Sequence, residues 1–314
     1  MYKYDDSMQG VEGLAQAGRS SGCLNGKVRE MRNAIAVCDT MMRCLGGGER
    51  TLSVHSVFDR AMNFSSDLGM ITLLAPDRCL MPFSVLLRER TDFRALANGR
   101  TFRMDRNGIT VDGRTEIGFG TAAHTDLHLS ETAFSGAFRK ECAADAIRSF
   151  LSAHGDRGLT EIVFGRFESV YARFCRPRFE RLRRAAEEDD EALTEAAYEA
   201  AGCGEGLTPS SDDLLCGYLL CASVARGRDA AKKAAYRASE RTNDISAALL
   251  RRAGDGLFSK DVLSLIETLS GDGTAEETNE ALKRVAAFGS SSGCDFLTGL
   301  YFGILDFTKG KEAM

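Results

Sequence analysis

Residues 206–217 read Gly206-Leu207-Thr208-Pro209-Ser210-Ser211-Asp212-Asp213-Leu214-Leu215-Cys216-Gly217. A glycine, hydroxyl residues and a proline lead into two aspartates and then an apolar run. That order starts a helix: Thr208 or Ser210 suits the cap, Pro209 the first turn, and the aspartates meet the positive end of the helix dipole. A second copy stands at Ser291-Ser292-Gly293-Cys294-Asp295-Phe296-Leu297-Thr298-Gly299. Setting Ser210 against Ser292 aligns Asp213 with Asp295, Leu215 with Leu297 and Gly217 with Gly299. Both copies continue as helices apolar on nearly every face, the pattern of burial all round. Each carries an internal glycine, which lowers helix stability by about 1 kcal/mol relative to alanine. Its presence in both copies predicts a close approach of two backbones, with these helices crossing each other.

Working outward, everything beyond about Tyr171 reads as helix: Pro177–Ala201, Ser210–Ala225, Asp229–Arg252, Ser259–Leu269, Ala275–Phe288 and Asp295–Phe307, with glycines as stops. Upstream, residues 51–119 are β-rich. Val54 to Phe58 alternates, Leu68–Leu74 and Ser84–Leu87 are short apolar runs, and Asn107-Gly108 marks a hairpin. A strand at Thr125–Leu129 and a helix at Phe138–His154 follow. Strands first and helices second predict an α+β protein. Its expected parts are an irregular segment 1–50, a β-rich domain 51–170 and a helical domain 171–314. Within the first part, Asn33–Cys44 suits a helix or a strand entry. Gly18-Arg19-Ser20-Ser21-Gly22-Cys23 echoes the second helix start but stops short of an aspartate.

Composition narrows the function. The chain has 314 residues, 44% hydrophobic and 27% charged, with 40 basic against 45 acidic side chains and a net charge of −5. Such a balance gives no general pull toward nucleic acid or anionic membranes. The arginine cluster from Arg173 to Arg184 is followed at once by the acidic block 187–191, the pattern of a solvated helix. Ten cysteines lack paired C-x-x-C spacing, so free thiols in a reducing cytoplasm are expected. The start Met1-Tyr2-Lys3-Tyr4-Asp5-Asp6 does not read as a signal peptide, and the apolar run Leu214–Ala225 is too short to span a bilayer. His124 and His128 lack the acidic companion of a zinc helix, and neither a phosphate-binding P-loop, a dinucleotide fingerprint nor a G-x-S-x-G elbow occurs.

The paired helix starts are therefore the candidate site. Helix N-termini with Ser210, Ser211, Ser291 and Ser292 offer N–H and O–H donors to phosphate or carboxylate, while Gly206 and Gly293 permit close approach. Asp212 and Asp213 already place negative charge there. Two arrangements stay open: capture of the anion by hydroxyls and amides, or a Mg²⁺ bridge from Asp212, Asp213 and Asp295 to phosphate. Plain capping is the structural alternative. Arg241-Thr242-Asn243-Asp244-Ile245-Ser246 interrupts a helical stretch, either as a simple break or with Thr242 and Asn243 reaching the same cavity. Asn63 stands where a β segment turns, and Arg60 suits a carboxylate or a pairing with Asp59 or Asp67.

Four stretches, Ser56–Asn63, Gly206–Asp213, Thr242–Ser246 and Gly289–Asp295, occur in the same order as in a bacterial family that includes the AllH subunit of oxamate carbamoyltransferase, an enzyme of anaerobic allantoin degradation. The chain resembles that family from about Thr51 onward. Gly-Leu-Thr-Pro-Ser-x-Asp-Asp is the most specific element. It departs at Ser211, where the family usually has glycine, and at Cys294, where an aromatic is frequent. The resemblance implies a cytoplasmic subunit of purine catabolism and nitrogen metabolism. With two other proteins it would interconvert oxalurate plus phosphate and oxamate plus carbamoyl phosphate. On that reading Asp213 and Asp295 are the catalytic candidates. Asn63, Thr208, Ser210, Ser211, Asp212, Thr242, Asn243, Ser291, Ser292 and Gly293 are the binding candidates. The alternatives are a non-catalytic binding or assembly subunit and a Mg²⁺-dependent phosphotransfer enzyme.

Overall fold

Alternation of apolar and polar side chains builds the first half of the molecule, seen in a computed structural model. It describes residues 31–307, apart from 131, 135–138, 156, 205 and 272. Strands β1 (Arg32–Cys38), β2 (Arg50–Val57), β3 (Ala61–Ser66), β4 (Gly69–Leu74), β5 (Ser84–Leu87), β6 (Phe102–Met104), β7 (Gly108–Val111) and β8 (Arg114–Gly118) pair in the order β5-β4-β3-β2-β6-β7-β8-β1. β5 also pairs antiparallel with β1, Ala34 opposite Leu87 and Val37 opposite Val85, so the eight strands close into a barrel. A ninth strand, β9 (Ala123–Thr125), joins β1 in parallel. Val37, Met62, Phe64, Ile71, Leu73, Val85, Met104, Ile109 and Ile117 are buried in one apolar cluster, and closure leaves the short strands without free edges.

β1 falls inside the segment expected to be irregular; Asn33–Cys44 is both options at once, a strand running into the short helix α1 (Asp39–Leu45). Residues 1–30, with the Gly18–Cys23 echo, lie outside the described residues. The hairpin at Asn107-Gly108 forms, by a different device from the expected pair of positive-φ residues. Asn107 keeps negative φ, and the Asp105 side chain accepts from the Asn107 and Gly108 amides at 2.8 and 3.1 Å.

After α2 (Phe93–Leu96) the remaining helices are α3 (Lys140–His154), α4 (Val170–Ala185), α5 (Asp190–Ala200), α6 (Ser210–Ala225), α7 (Arg228–Ser239), α8 (Asp244–Gly254), α9 (Lys260–Ser270), α10 (Ala275–Ala286) and α11 (Ser292–Phe307). The architecture is α+β, a barrel followed by helices, as the order of patterns predicts. Two expected long helices are each divided. Asp189 caps α5 by accepting from Ala192 N at 2.8 Å, so the acidic block is a turn and a cap. Asn243 caps α8 by accepting from the Ile245 and Ser246 amides, both at 3.1 Å. In each case a side-chain acceptor competes with continuation of the helix.

α6 and α11 cross at their glycines. A Cβ on Gly217 would lie 2.1 Å from the Phe296 carbonyl oxygen, and one on Gly299 would lie 1.9 Å from that of Leu214. Only glycine permits that separation. The expectation of unbridged thiols fails at one pair: Cys175 in α4 is disulfide-bonded to Cys203. The α4–α5 hairpin returns the chain on itself and brings the two together, which linear spacing does not show. Cys38, Cys44, Cys79, Cys142, Cys216, Cys221 and Cys294 are in no disulfide. Among the described residues no helix is long and apolar enough to cross a membrane.

Candidate functional site

The α6–α11 crossing brings the two helix starts together. Thr208 Oγ1 and Ser292 Oγ are 2.8 Å apart. Asp213 and Asp295 are both buried, and the Thr208 and Ser292 hydroxyls reach the Asp213 carboxyl. Asp295 faces the other way round the crossing. Its Oδ1 accepts from Leu159 N at 2.6 Å, the Ser210 and Ser291 hydroxyls serve the same carboxyl, and Gly158 packs against it. Oδ2 of Asp213 and Oδ2 of Asp295 have no hydrogen-bond partner among the described residues.

Several candidates serve the scaffold instead. Asp212 accepts from Gly202 N at 2.7 Å and from the Thr242 hydroxyl at 2.5 Å, stapling the turn after α5 to the break before α8. Ser211 accepts from Cys203 N at 2.8 Å and returns its own N–H to the Cys203 carbonyl. Asn243 is a helix cap. Gly293 lets α11 pack on α10, since a Cβ there would stand 2.1 Å from the Val285 carbonyl oxygen. Amides expected to be free are also used: Asp212 N donates to Pro209 O at 2.8 Å, and Gly293 N to Phe288 O at 2.9 Å.

The space that remains is a cleft of about 540 Å³ between the barrel and the helices. Alternation along the strands makes its floor. Met62 and Phe64, and Ile71 and Leu73, point into the barrel, so Ala61 and Asn63 of β3 and Met70, Thr72 and Leu74 of β4 point into the cleft. Asn63 is fixed there: it donates to Ser56 Oγ at 3.0 Å and accepts from the Thr72 hydroxyl at 2.8 Å. Thr208 and Ser292 line the opposite wall. Ser210, Ser211, Asp212, Thr242, Asn243, Ser291 and Asp295 are not among the cleft's lining.

Three arginines line this cleft. Arg60 pairs with Asp77 at 3.4 Å, neither of its expected partners. Arg78 lies over the Phe288 ring, and Arg252 stacks on Phe83 while donating to Leu68 O at 2.7 Å. Neither Arg78 nor Arg252 has a carboxylate partner among the described residues. Burial pulls the Arg252 pKa below the usual arginine value, yet an arginine remains charged at neutral pH. These two were missed in the sequence because no motif marks them. They arrive from the loop before β5 and from the end of α8, and only the packed barrel and helices bring them together.

The electrostatics also change the reading of the aspartates. Burial, then the charge of Asp295, hold the Asp213 carboxyl well above the usual carboxylate range. Burial pushes Asp295 up to about 7. Asp213 is thus neutral at pH values where an isolated aspartate is charged, and it repels an anion less than its sequence suggests. The three carboxylates do not fit a shared Mg²⁺: Asp212 is occupied elsewhere, and among the described residues no three His, Cys, Asp or Glu side chains gather as a metal-binding set.

The closed barrel, the glycine-crossed helix pair and the cleft between them define an α+β protein whose open, largely apolar cleft carries three arginines beside Asn63, Thr208 and Ser292. Residues 33–125 match the AllH family N-terminal domain, and residues 200–304 match the oxamate carbamoyltransferase subunit AllH. The chain belongs to the AllH family. No solved structure matches it.

Proposed function

We propose that this chain works as a subunit of an oxamate carbamoyltransferase complex, and that its cleft receives a small anionic reactant, a carboxylate or phosphate. The reaction breaks the C–N bond of oxalurate and forms a C–O bond from phosphate to the carbamoyl carbon. The phosphate proton passes to the departing amide nitrogen. Such chemistry needs positioned reactants and donors for the developing oxyanion more than a covalent nucleophile. One observation carries the reading: Arg78 and Arg252, without carboxylate partners among the described residues, line the same cleft as Thr208, Ser292 and Asn63. Guanidinium groups bind carboxylate and phosphate in a two-pronged geometry, and partial burial strengthens that attraction. The site differs from plain capture by helix-start amides, because several of those amides have internal partners.

Titration calorimetry with oxamate and with inorganic phosphate, on the chain alone, tests the cleft. Arg252→Gln is expected to weaken binding by about tenfold, the loss of one charge-assisted contact. Unchanged affinity in a folded Arg252→Gln protein refutes the site. Phosphate-dependent oxalurate cleavage, assayed with and without the partner subunits, tests the subunit role. If omitting this chain from the reconstituted complex leaves activity intact, that role is lost.

A further inference from the structure

Behind the cleft lies a narrower chamber of about 100 Å³, and Ser292 and Arg252 line both spaces. Phe258, Val262, Val285 and Phe296 give the chamber apolar walls, Asp213 lies in its lining, and the further charges there, Arg284 and Asp261, are paired with each other at 3.5 Å. Oδ2 of Asp213 is buried and has no hydrogen-bond partner among the described residues. A buried oxygen left in that state destabilises a fold. Ligands that supply the missing partner recover that energy. The chamber's shape and chemistry restrict which ligand end enters. A second negative charge would lose its water against the apolar walls, and wherever Asp213 is ionised it would also face a like charge. An uncharged amide or ureido end brings N–H donors and a carbonyl, so it pairs with a carboxyl whichever way the Asp213 proton lies.

We propose that Asp213 is the specificity residue of this subunit: it takes the amide or ureido end of an elongated monocarboxylate, whose carboxylate stays at Arg252. It follows that this cleft is the seat of the amide-bearing acid. The inference rests on the reading of the cleft as an anion site. It adds orientation and discrimination to it.

Three probes separate the possibilities on the full chain at pH 8: oxamate, its dicarboxylate counterpart oxalate, and inorganic phosphate. Oxamate is expected to bind at least about tenfold more tightly than oxalate, as for a site that hydrogen-bonds one end group and rejects its charged analogue. Asp213→Asn offers a fixed N–H to a carboxylate, so it is expected to raise oxalate affinity and bring the ratio toward one. A merely structural Asp213 would not produce that gain. Equal binding of oxamate and oxalate by the unsubstituted chain overturns the proposal, even if Asp213→Asn fails to fold. An unchanged ratio in a folded Asp213→Asn protein also overturns it. Phosphate binding tightest, and still dependent on Arg252, removes the role of Asp213 but leaves the anion cleft standing. Failure of all three probes to bind removes the cleft reading and this inference with it.

Discussion

Replacing Gly299 with alanine tests the helix crossing on which the site depends. The new Cβ would lie 1.9 Å from the Leu214 carbonyl oxygen, 2.7 Å from its carbonyl carbon and 3.0 Å from its Cα. All three are backbone atoms of α6, so no side chain can swing aside. Restoring ordinary van der Waals separation moves the helices apart by more than an ångström over a crossing where both are buried. Dispersion contacts fall off steeply over such a gap. Alanine returns about 1 kcal/mol through its helix propensity, against a typical overpacking penalty of about 1–3 kcal/mol, larger where backbone must move. Because backbone must move here, the penalty lies at or above the upper end of that range, and a net destabilisation of about 2 kcal/mol or more follows, which lowers the melting temperature by roughly 4–8 °C or more in a domain of this size. Gly47→Ala is the control, because a Cβ there meets nothing within 4 Å. Thermal unfolding followed by circular dichroism reads both. The Thr208–Ser292 contact spans the same crossing, so oxamate affinity should fall in Gly299→Ala as well. A Gly299→Ala protein melting at or above the parent temperature refutes the crossing.

Asp295 gives a pH prediction with a defined sign. Its folded form holds a proton up to about 7, whereas the unfolded chain releases it near the ordinary aspartate value. Its contribution to stability is therefore full below about pH 4 and is lost as pH rises to about 7, by roughly 4 kcal/mol at most. Asp295→Asn keeps an acceptor for Leu159 N and should flatten that part of the curve of urea midpoint against pH; an unaltered slope contradicts the assignment. Asp212→Ala strips partners from Gly202 N and Thr242 and should lower stability by about 2–3 kcal/mol. Oxamate affinity of the folded fraction should stay the same, and a selective loss of binding would return Asp212 to the site. Gly158→Ala places a Cβ 2.2 Å from Asp295 Oδ1 at a φ of +66°, and should destabilise by about 2–4 kcal/mol through clash and backbone strain together. Hydrogen exchange at Leu159 N should quicken, and retained protection there would count against the contact.

Much of this architecture is written locally. The α+β order, the α6 boundaries Ser210–Ala225 and the crossing at Gly217 and Gly299 follow from periodicity, caps and glycine placement, which act over a few residues. Strand β1 was less legible, because only pairing with β5, β8 and β9 distinguishes it from a helix entry. The divided helices show the same limit: Asp189 and Asn243 could equally have been surface residues of a continuous helix.

Local sequence also determined that two polar helix starts of one design exist, and that they carry Asp213 and Asp295. It could not apportion their side chains. Successive residues of a helix point about 100° apart, so neighbours in sequence reach different surroundings. Asp212 turns to Gly202 and Thr242, while Asp213 turns to Ser292 and the chamber. Tertiary structure alone decided that Asn63 on a strand, Thr208 and Ser292 at two helix starts, and Arg78 and Arg252 on separate segments share one cleft. It also decided that burial, rather than charge, governs the two central carboxyls. Both results have one cause: long-range packing sets what each side chain faces and how much water remains beside it.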